Sequence, residues 1–223
     1  MTDRSSTAID NTRRAVFVDR DGVINRMCLH AEFGTVDSPA NPDEFELLPG
    51  AGEALAELNR TGLLVIVVSN QPGIAKGKFT PALLAAIEAR MMAGIEAAGG
   101  KLDAVYNCLH HPEAVLAEYR TRCACRKPQP GLLAQAARDW QIELSSSYMI
   151  GDGVTDIMAG RAAGATTLLV SSRKCYICDS LIAHDTWPDY LVSDLGQAAM
   201  VIRSLEAGDR EAVKPFGLRC VAR

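Results

Sequence analysis

Ala15-Val16-Phe17-Val18-Asp19-Arg20-Asp21-Gly22 runs a short apolar stretch straight into two carboxylates. Four apolar residues in a row, bounded by charge, read as a strand buried on both faces. Outward from it the chain alternates strand and helix patterns. Residues 50–60 carry Ala54, Leu55 and Leu58 on one face and predict a helix stopped by Gly62. Residues 63–68 are a β-branched run, a second buried strand. A helix over 81–98 starts with Thr80 as N-cap and Pro81 at the first position. Strands at 104–106, 148–150, 166–170 and 190–192 and helices over 130–140, 155–163 and 195–205 complete the pattern. Such alternation predicts an α/β fold, a doubly wound, Rossmann-like parallel sheet covered on both faces. Ligands of such sheets bind at the carboxyl ends of the strands. Polar residues stand there: Asp19 after the first strand, Ser69 after the second and Asp152 after the one at 148–150.

Those residues carry compatible chemistry. Asp19 and Asp21, two apart beyond a buried strand, can face one crevice, and Gly22 lets the chain turn away sharply. A carboxylate can attack phosphorus only where the phosphate charge is screened, which calls for a divalent metal. An EF-hand reading of this loop fails, because Val23 stands where a third oxygen ligand belongs. In Ser69-Asn70-Gln71 a hydroxyl and the following N–H groups can hold phosphoryl oxygens. In Arg126-Lys127-Pro128 an ammonium would neutralise charge and restrain the nucleophile. In Gly151-Asp152-Gly153-Val154-Thr155-Asp156, Asp152 joins Asp19 as an oxygen ligand suited to Mg2+. Asp156 reads equally well as a further ligand or as an acid favoured by the helix macrodipole.

Composition narrows the partners. The 223 residues, 48% hydrophobic, suit one domain with a real core, and the formal charge of −4 offers no basic face for nucleic acid. The longest apolar run, 63–68, is far too short to span a bilayer, and no secretory signal precedes residue 15. We expect a cytoplasmic monomer with a small-molecule substrate, no nucleic-acid partner and no membrane attachment. Its organisation is read as a mobile tail over 1–14, one domain over 15–207 and a C-terminal tail over 208–223, with no large cap domain. Residues 26–42 and 108–125 break the alternation and read as loops on the active-site rim.

Seven cysteines without a secretory signal favour thiolate metal ligation over disulfides. Cys108-Leu109-His110 and Cys123-Ala124-Cys125 form a C-x-H and C-x-C set, three thiolates and an imidazole that would fill a tetrahedral structural zinc. The alternatives are reduced buried thiols, or His111 in place of His110. Cys125 directly precedes Arg126 and Lys127, so a metal there would fix where the lysine enters the site. Cys175 and Cys178 read as two reduced thiols.

Asp-x-Asp-Gly, then Ser-Asn-Gln, Lys-Pro and Gly-Asp-x-x-x-Asp, in that order over most of the chain, resemble the haloacid dehalogenase superfamily of phosphatases. The resemblance implies Asp19 as nucleophile of an aspartyl-phosphate mechanism and Asp21 as general acid, then base. It implies Ser69 and Lys127 as stabilisers of the transferring phosphoryl group. Mg2+ would be held by Asp19, the backbone carbonyl of Asp21, and Asp152. Cys-x-His-His-Pro-Glu, a gap of twelve residues from His110 to Cys123, and Cys-x-Cys-Arg-Lys-Pro are similar to the D-glycero-D-manno-heptose-1,7-bisphosphate 7-phosphatase family. Glu118-Tyr119-Arg120 also looks like that type, whereas the related histidinol-phosphate phosphatases have a shorter loop. That likeness maps substrate contacts onto Asn70, Gln71 and Arg126, and a second phosphate would suit Arg120, Arg126 and Lys76. The chain departs from the family in the length of 26–42, in Ser69 for a common Thr, and in Gly153 after Asp152. A phospho-accepting receiver domain also sets Asp, Ser or Thr, and Lys at strand ends, but in another order. A silent binding module would not need both intact carboxylates of the first motif.

Overall fold

The computed structural model describes residues 12–31, 34–171 and 176–216. The expected N-terminal tail up to residue 11, Cys175, and the end of the C-terminal tail from 217 lie outside the described residues. In chain order the elements are β1 (Ala15–Val18), β2 (Cys28–His30), β3 (Thr35–Asp37), α1 (Ala51–Asn59), β4 (Leu64–Asn70), α2 (Pro81–Ala97), β5 (Ala104–Cys108), α3 (Gly131–Trp140), β6 (Tyr148–Gly151), α4 (Val154–Ala162), β7 (Thr166–Val170), α5 (Tyr176–Ala183), β8 (Tyr190–Val192) and α6 (Leu195–Glu206).

The expected parallel sheet is present, six strands in the order β5-β4-β1-β6-β7-β8 with every neighbour parallel. From β1 the chain builds outward through β4 and β5, then crosses back to build β6, β7 and β8 on the other side. The order reverses between β1 and β6, and a doubly wound sheet opens its ligand crevice at such a point. Asp19 follows β1 and Asp152 follows β6, one on each side of the crevice, and Asp19 N–H donates to the Ile150 carbonyl at 2.9 Å.

Side-chain alternation explains the two covered faces. Val16 and Val18 pack with Leu55 and Leu58 of α1, Ile87, Met91 and Ile95 of α2, and Ile202 of α6. Ala15 and Phe17 pack on the other face with Ile66, Val68 and with Leu132, Leu133 and Ala136 of α3. A large apolar side chain buried this way contributes about 1.5–3 kcal/mol. The first turn of α2 is capped as expected, Thr80 Oγ1 accepting from Leu83 N–H at 3.3 Å.

Three features differ from the sequence reading. The segment 26–42, expected as a loop, contains the antiparallel pair β2–β3. Its strands have three residues each and its paired Leu29 and Val36 are exposed, so no period-two burial pattern marks them. Helix α5 was not expected at all, although Ile177 and Leu181, four apart, bury one face against Val154 and Ile157. Strand β4 runs on through Ser69 and Asn70, because the ladder to β5 continues as Ser69 opposite Asn107 and Asn70 opposite Cys108. In the expected C-terminal tail, Phe216 stacks on Trp187 and its N–H donates to the Asp189 carbonyl at 2.7 Å. Among the described residues no helix is long and apolar enough to cross a membrane.

Candidate active site

Two of the expected acidic residues, Asp19 and Asp156, meet around one ammonium. Lys127, 2% exposed at its side chain, sets Nζ 2.8 Å from Asp19 Oδ1 and 2.5 Å from Asp156 Oδ1. Its third donor goes to the Val68 carbonyl at 2.8 Å, so all three protons of the ammonium have acceptors. Asn70 holds the lysine's own peptide: Nδ2 donates to the Lys127 carbonyl at 3.1 Å and Oδ1 accepts from Lys127 N–H at 3.0 Å. Burial alone would lower the Lys127 pKa, but the carboxylates of Asp156 and Asp19 more than offset it and hold it above the ordinary range. Burial pushes the Asp19 carboxyl up to about 6 against the pull of Lys127, with Asp156 and Asp21 adding to the rise.

Two readings of Asp156 had been left open, and its carboxylate does more than cap the helix. One oxygen accepts from Gly153 N–H at 3.0 Å at the start of α4, while the other faces Lys127. Close approach is built in by two glycines. A Cβ on Gly22, whose φ is +83°, would fall 2.2 Å from Asp152 Oδ2, and one on Gly151 would fall 2.2 Å from the Asp156 Cβ.

Oxygens of Asp19, Asp152 and Asp156 lie within 4.8 Å of one another. Each pair of like charges at that distance repels by roughly 3.5 kcal/mol at an effective dielectric near 20. This all-oxygen set of three carboxylates fits a hard divalent cation. Beside it Ser69 Oγ accepts from Gln71 Nε2 at 2.8 Å, which turns the hydroxyl proton outward as a donor.

These groups floor a cavity of about 690 Å³. Asp19, Asp21, Ser69, Asn70, Lys127 and Asp152 all line it. Met27, Val36 and Ser38 around the β2–β3 hairpin form one wall, and Ile177 and Ser180 of α5 form another. The sequence reading set 26–42 on the rim as a loop without its hairpin, and did not foresee α5. The apolar spacing of Ile177 and Leu181 could have revealed α5, whereas nothing in 26–42 singled out Ser38.

Of three more residues expected at the substrate, Gln71 and Arg120 are bonded within the fold and Arg126 lines an adjoining cavity. Gln71 is fully buried beneath the floor, where its amide is used on Ser69, Asp21 and Arg20. The guanidinium of Arg120 is spent on the Ala114 and Val115 carbonyls of its own loop, at 2.7 and 3.2 Å. Arg126 donates to the His110 carbonyl at 3.3 Å and lines an adjoining cavity of about 410 Å³, together with Arg122. Lys127 belongs to the walls of both cavities.

Cys108, His110, Cys123 and Cys125 converge with ligand atoms within 4.8 Å. Sulfur–sulfur separations of 3.5, 3.3 and 3.1 Å and a Cys125 Sγ to His110 Nδ1 distance of 3.4 Å are close to the edges of about 3.8 Å or less expected around a tetrahedral zinc. His111 is turned away, its Nδ1 accepting from Glu113 N–H at 3.1 Å. The histidine of the cluster is therefore His110.

A family model described as HAD-hydrolase-like matches residues 124–198. The D-glycero-beta-D-manno-heptose-1,7-bisphosphate 7-phosphatase of Escherichia coli K12 is 38% identical over 185 residues, 82% of this chain and 92% of that protein. The Vibrio cholerae enzyme of the same description is 38% identical over 161 residues, 72% and 82% of the two chains. Among solved structures, the D,D-heptose 1,7-bisphosphate phosphatase of B. bronchiseptica, complexed with magnesium and phosphate, is 30% identical. It superposes with a TM-score of 0.71 over 86% of this chain and 99% of that one. The enzyme from Burkholderia thailandensis gives 29% identity and a TM-score of 0.61 over the same shares.

Proposed function

We infer the reaction from one premise: the chain belongs to the D-glycero-beta-D-manno-heptose-1,7-bisphosphate 7-phosphatase family of haloacid-dehalogenase-like hydrolases. It is a phosphoric monoester hydrolase acting on a sugar bisphosphate. The substrate we assign is D-glycero-D-manno-heptose 1,7-bisphosphate, with the phosphate at C7 removed and the anomeric phosphate kept. The observation that carries the chemistry is the Asp19 carboxylate, held by Lys127 on the floor of a cavity that Ser69 and Asp21 also line.

In this reading Asp19 attacks phosphorus, and the bond from phosphorus to the C7 oxygen breaks. Asp21 gives its proton to the departing alkoxide. It then takes a proton from the water that attacks the aspartyl-phosphate, so Asp19 is freed and inorganic phosphate leaves. Ser69 and Lys127 hold the phosphoryl oxygens. Lys127 also fixes Asp19, and Asn70 fixes the lysine's backbone. Gln71 acts from beneath rather than on the sugar. Asp19, the Asp21 carbonyl and Asp152 would hold Mg2+, with Asp156 beside them, and the ion would supply the positive charge that lets a carboxylate approach the phosphate.

The adjoining cavity supports a bisphosphate. It continues from the reacting site past Lys127 and presents Arg126 and Arg122, and a guanidinium grips phosphate through paired hydrogen bonds. Comparison of kcat/KM for heptose 1,7-bisphosphate and histidinol phosphate tests the assignment. We expect the heptose ester to win by roughly 100-fold, about 2.7 kcal/mol in transition-state binding. Arg126→Ala should erode most of that ratio while leaving an aryl phosphate less affected. A clear win for histidinol phosphate would overturn the substrate.

The Cys108, His110, Cys123 and Cys125 cluster we assign to zinc, as a staple with no position left for water. Freshly purified protein should carry about one equivalent of zinc. Cys123→Ser should lose it, and because Arg126 bonds the His110 carbonyl, the loss should appear as weaker substrate binding. Chelating Mg2+ should instead abolish turnover reversibly. Protein without zinc by elemental analysis would remove the staple. The single domain over 15–207, a monomeric state and a cytoplasmic location belong to the same proposal.

A further inference from the structure

Asp21 is gripped from three directions. From beneath, Gln71 Nε2 donates to Oδ2 at 2.6 Å, and Nη2 of the fully buried Arg20 lies 3.0 Å from both oxygens. From the turn that follows, Asn25 Nδ2 donates to Oδ1 at 3.0 Å. From the rim, Ser38 Oγ lies 3.0 Å from Oδ2. The first three partners belong to the frame at the strand ends. Ser38 stands on the hairpin segment, directly after β3, and lines the cavity.

The four partners also differ in chemistry. The nitrogens of Arg20, Asn25 and Gln71 can only donate, whereas a hydroxyl both donates and accepts. The Gln71 amide cannot simply reverse, because its Oε1 takes a hydrogen bond from Arg20 Nη2 at 2.9 Å. Ser38 is thus the partner on Oδ2 that can either donate to Asp21 or accept from it. Its place is secured locally: Ser38 N–H donates to Asp37 Oδ1 at 2.9 Å, and Asp37 pairs with Lys78 in the stretch after Gln71. Pro39 beyond it is buried.

We propose that Ser38 is a positioning residue for Asp21, aiming its carboxyl at the leaving oxygen, so that proton transfer depends on the hairpin wall as well as on the strand ends. The proposal rests on the acid–base role given to Asp21 above. Nothing in the sequence singled Ser38 out, and no motif includes it.

A double-mutant cycle of Ser38→Ala with Asp21→Asn tests it in the full-length, Mg2+-supplied enzyme. Heptose 1,7-bisphosphate and glycerol phosphate are both used, because an alkoxide leaving group needs its proton, with high enzyme concentrations for the slow variants. Failure of the sugar assignment would then leave the cycle readable on the simple alkyl ester. Ser38→Ala should lower kcat roughly tenfold, a part of the about 10²–10⁴ that a positioned acid or base supplies, with KM within about twofold. Ser38→Thr should recover most of the loss. In the Asp21→Asn background, Ser38→Ala should cost less than about twofold, because the group it aims is gone. Thermal denaturation of the single variant, expected to match the parent, excludes a folding effect. Losses that multiply, an effect on KM alone, or an unchanged kcat would each overturn the proposal.

Discussion

Asp19→Asn should lower kcat by at least three orders of magnitude, about 4 kcal/mol in barrier height. The amide keeps the shape of the side chain and removes the anion that attacks phosphorus. The fold should survive, because the change leaves the strand-end backbone untouched and Lys127 keeps Asp156 and the Val68 carbonyl as acceptors. Rapid quenching with radiolabelled substrate separates the two aspartates of the first motif. Asp21→Asn should still show label on the protein, since Asp19 remains able to attack, whereas Asp19→Asn should show none. More than a few per cent of parental activity in Asp19→Asn would remove the covalent mechanism.

Lys127→Met should cost both activity and stability, and the two losses should separate in a second variant. Methionine fills the channel but leaves the Asp19 and Asp156 carboxylates facing each other without the ammonium between them. Breaking a buried pair by removing one partner costs about 3–5 kcal/mol. Asp19 also faces the cavity, so the lower end applies, and for a chain of this size Tm should fall by roughly 6–12 °C. Losing a charged donor to the phosphoryl group should lower kcat by at least about 10²–10³-fold. Adding Asp156→Asn to Lys127→Met should recover much of the Tm, since one unpaired charge is gone, and none of the activity. Scanning calorimetry and steady-state kinetics on the two variants check both halves. A Lys127→Met protein with the parental Tm would mean that the ammonium is not what holds the carboxylates together.

The sheet was legible because its strands are short apolar runs bounded by charge, and its helices carry apolar residues on one face. The strand at 166–170 falls where burial on both faces predicts it, and the one at 190–192 pairs with it at the sheet edge, with Leu191 exposed. Asp19 and Asp152 directly after their strands, and Ser69 at the end of β4, were legible for a related reason, whereas Lys127 follows no strand and was legible from its motif. A parallel sheet sends whatever follows its strands to one edge, so sequence position after a strand becomes position in space. The hairpin was not legible. It is too short for periodicity, its paired side chains are exposed, and its value lies in what it overhangs. Helix α5 had a readable apolar spacing in Ile177 and Leu181.

By itself, the sequence determined the α/β alternation, the order of the strand-end motifs and the set of soft ligands between Cys108 and Cys125, because each rests on local pattern or spacing. Tertiary structure decided the rest, because it depends on which side chain reaches a shared partner first. His110 joined the cluster while His111 turned to Glu113 N–H. Asp156 was drawn onto Lys127 because α4 starts within reach of the ammonium. Gln71, two residues past Ser69, was pulled beneath the floor by Arg20 and Asp21 rather than left to face a sugar. Competition among neighbours for a few buried donors and acceptors is a property of the folded packing, and linear spacing carries no record of it.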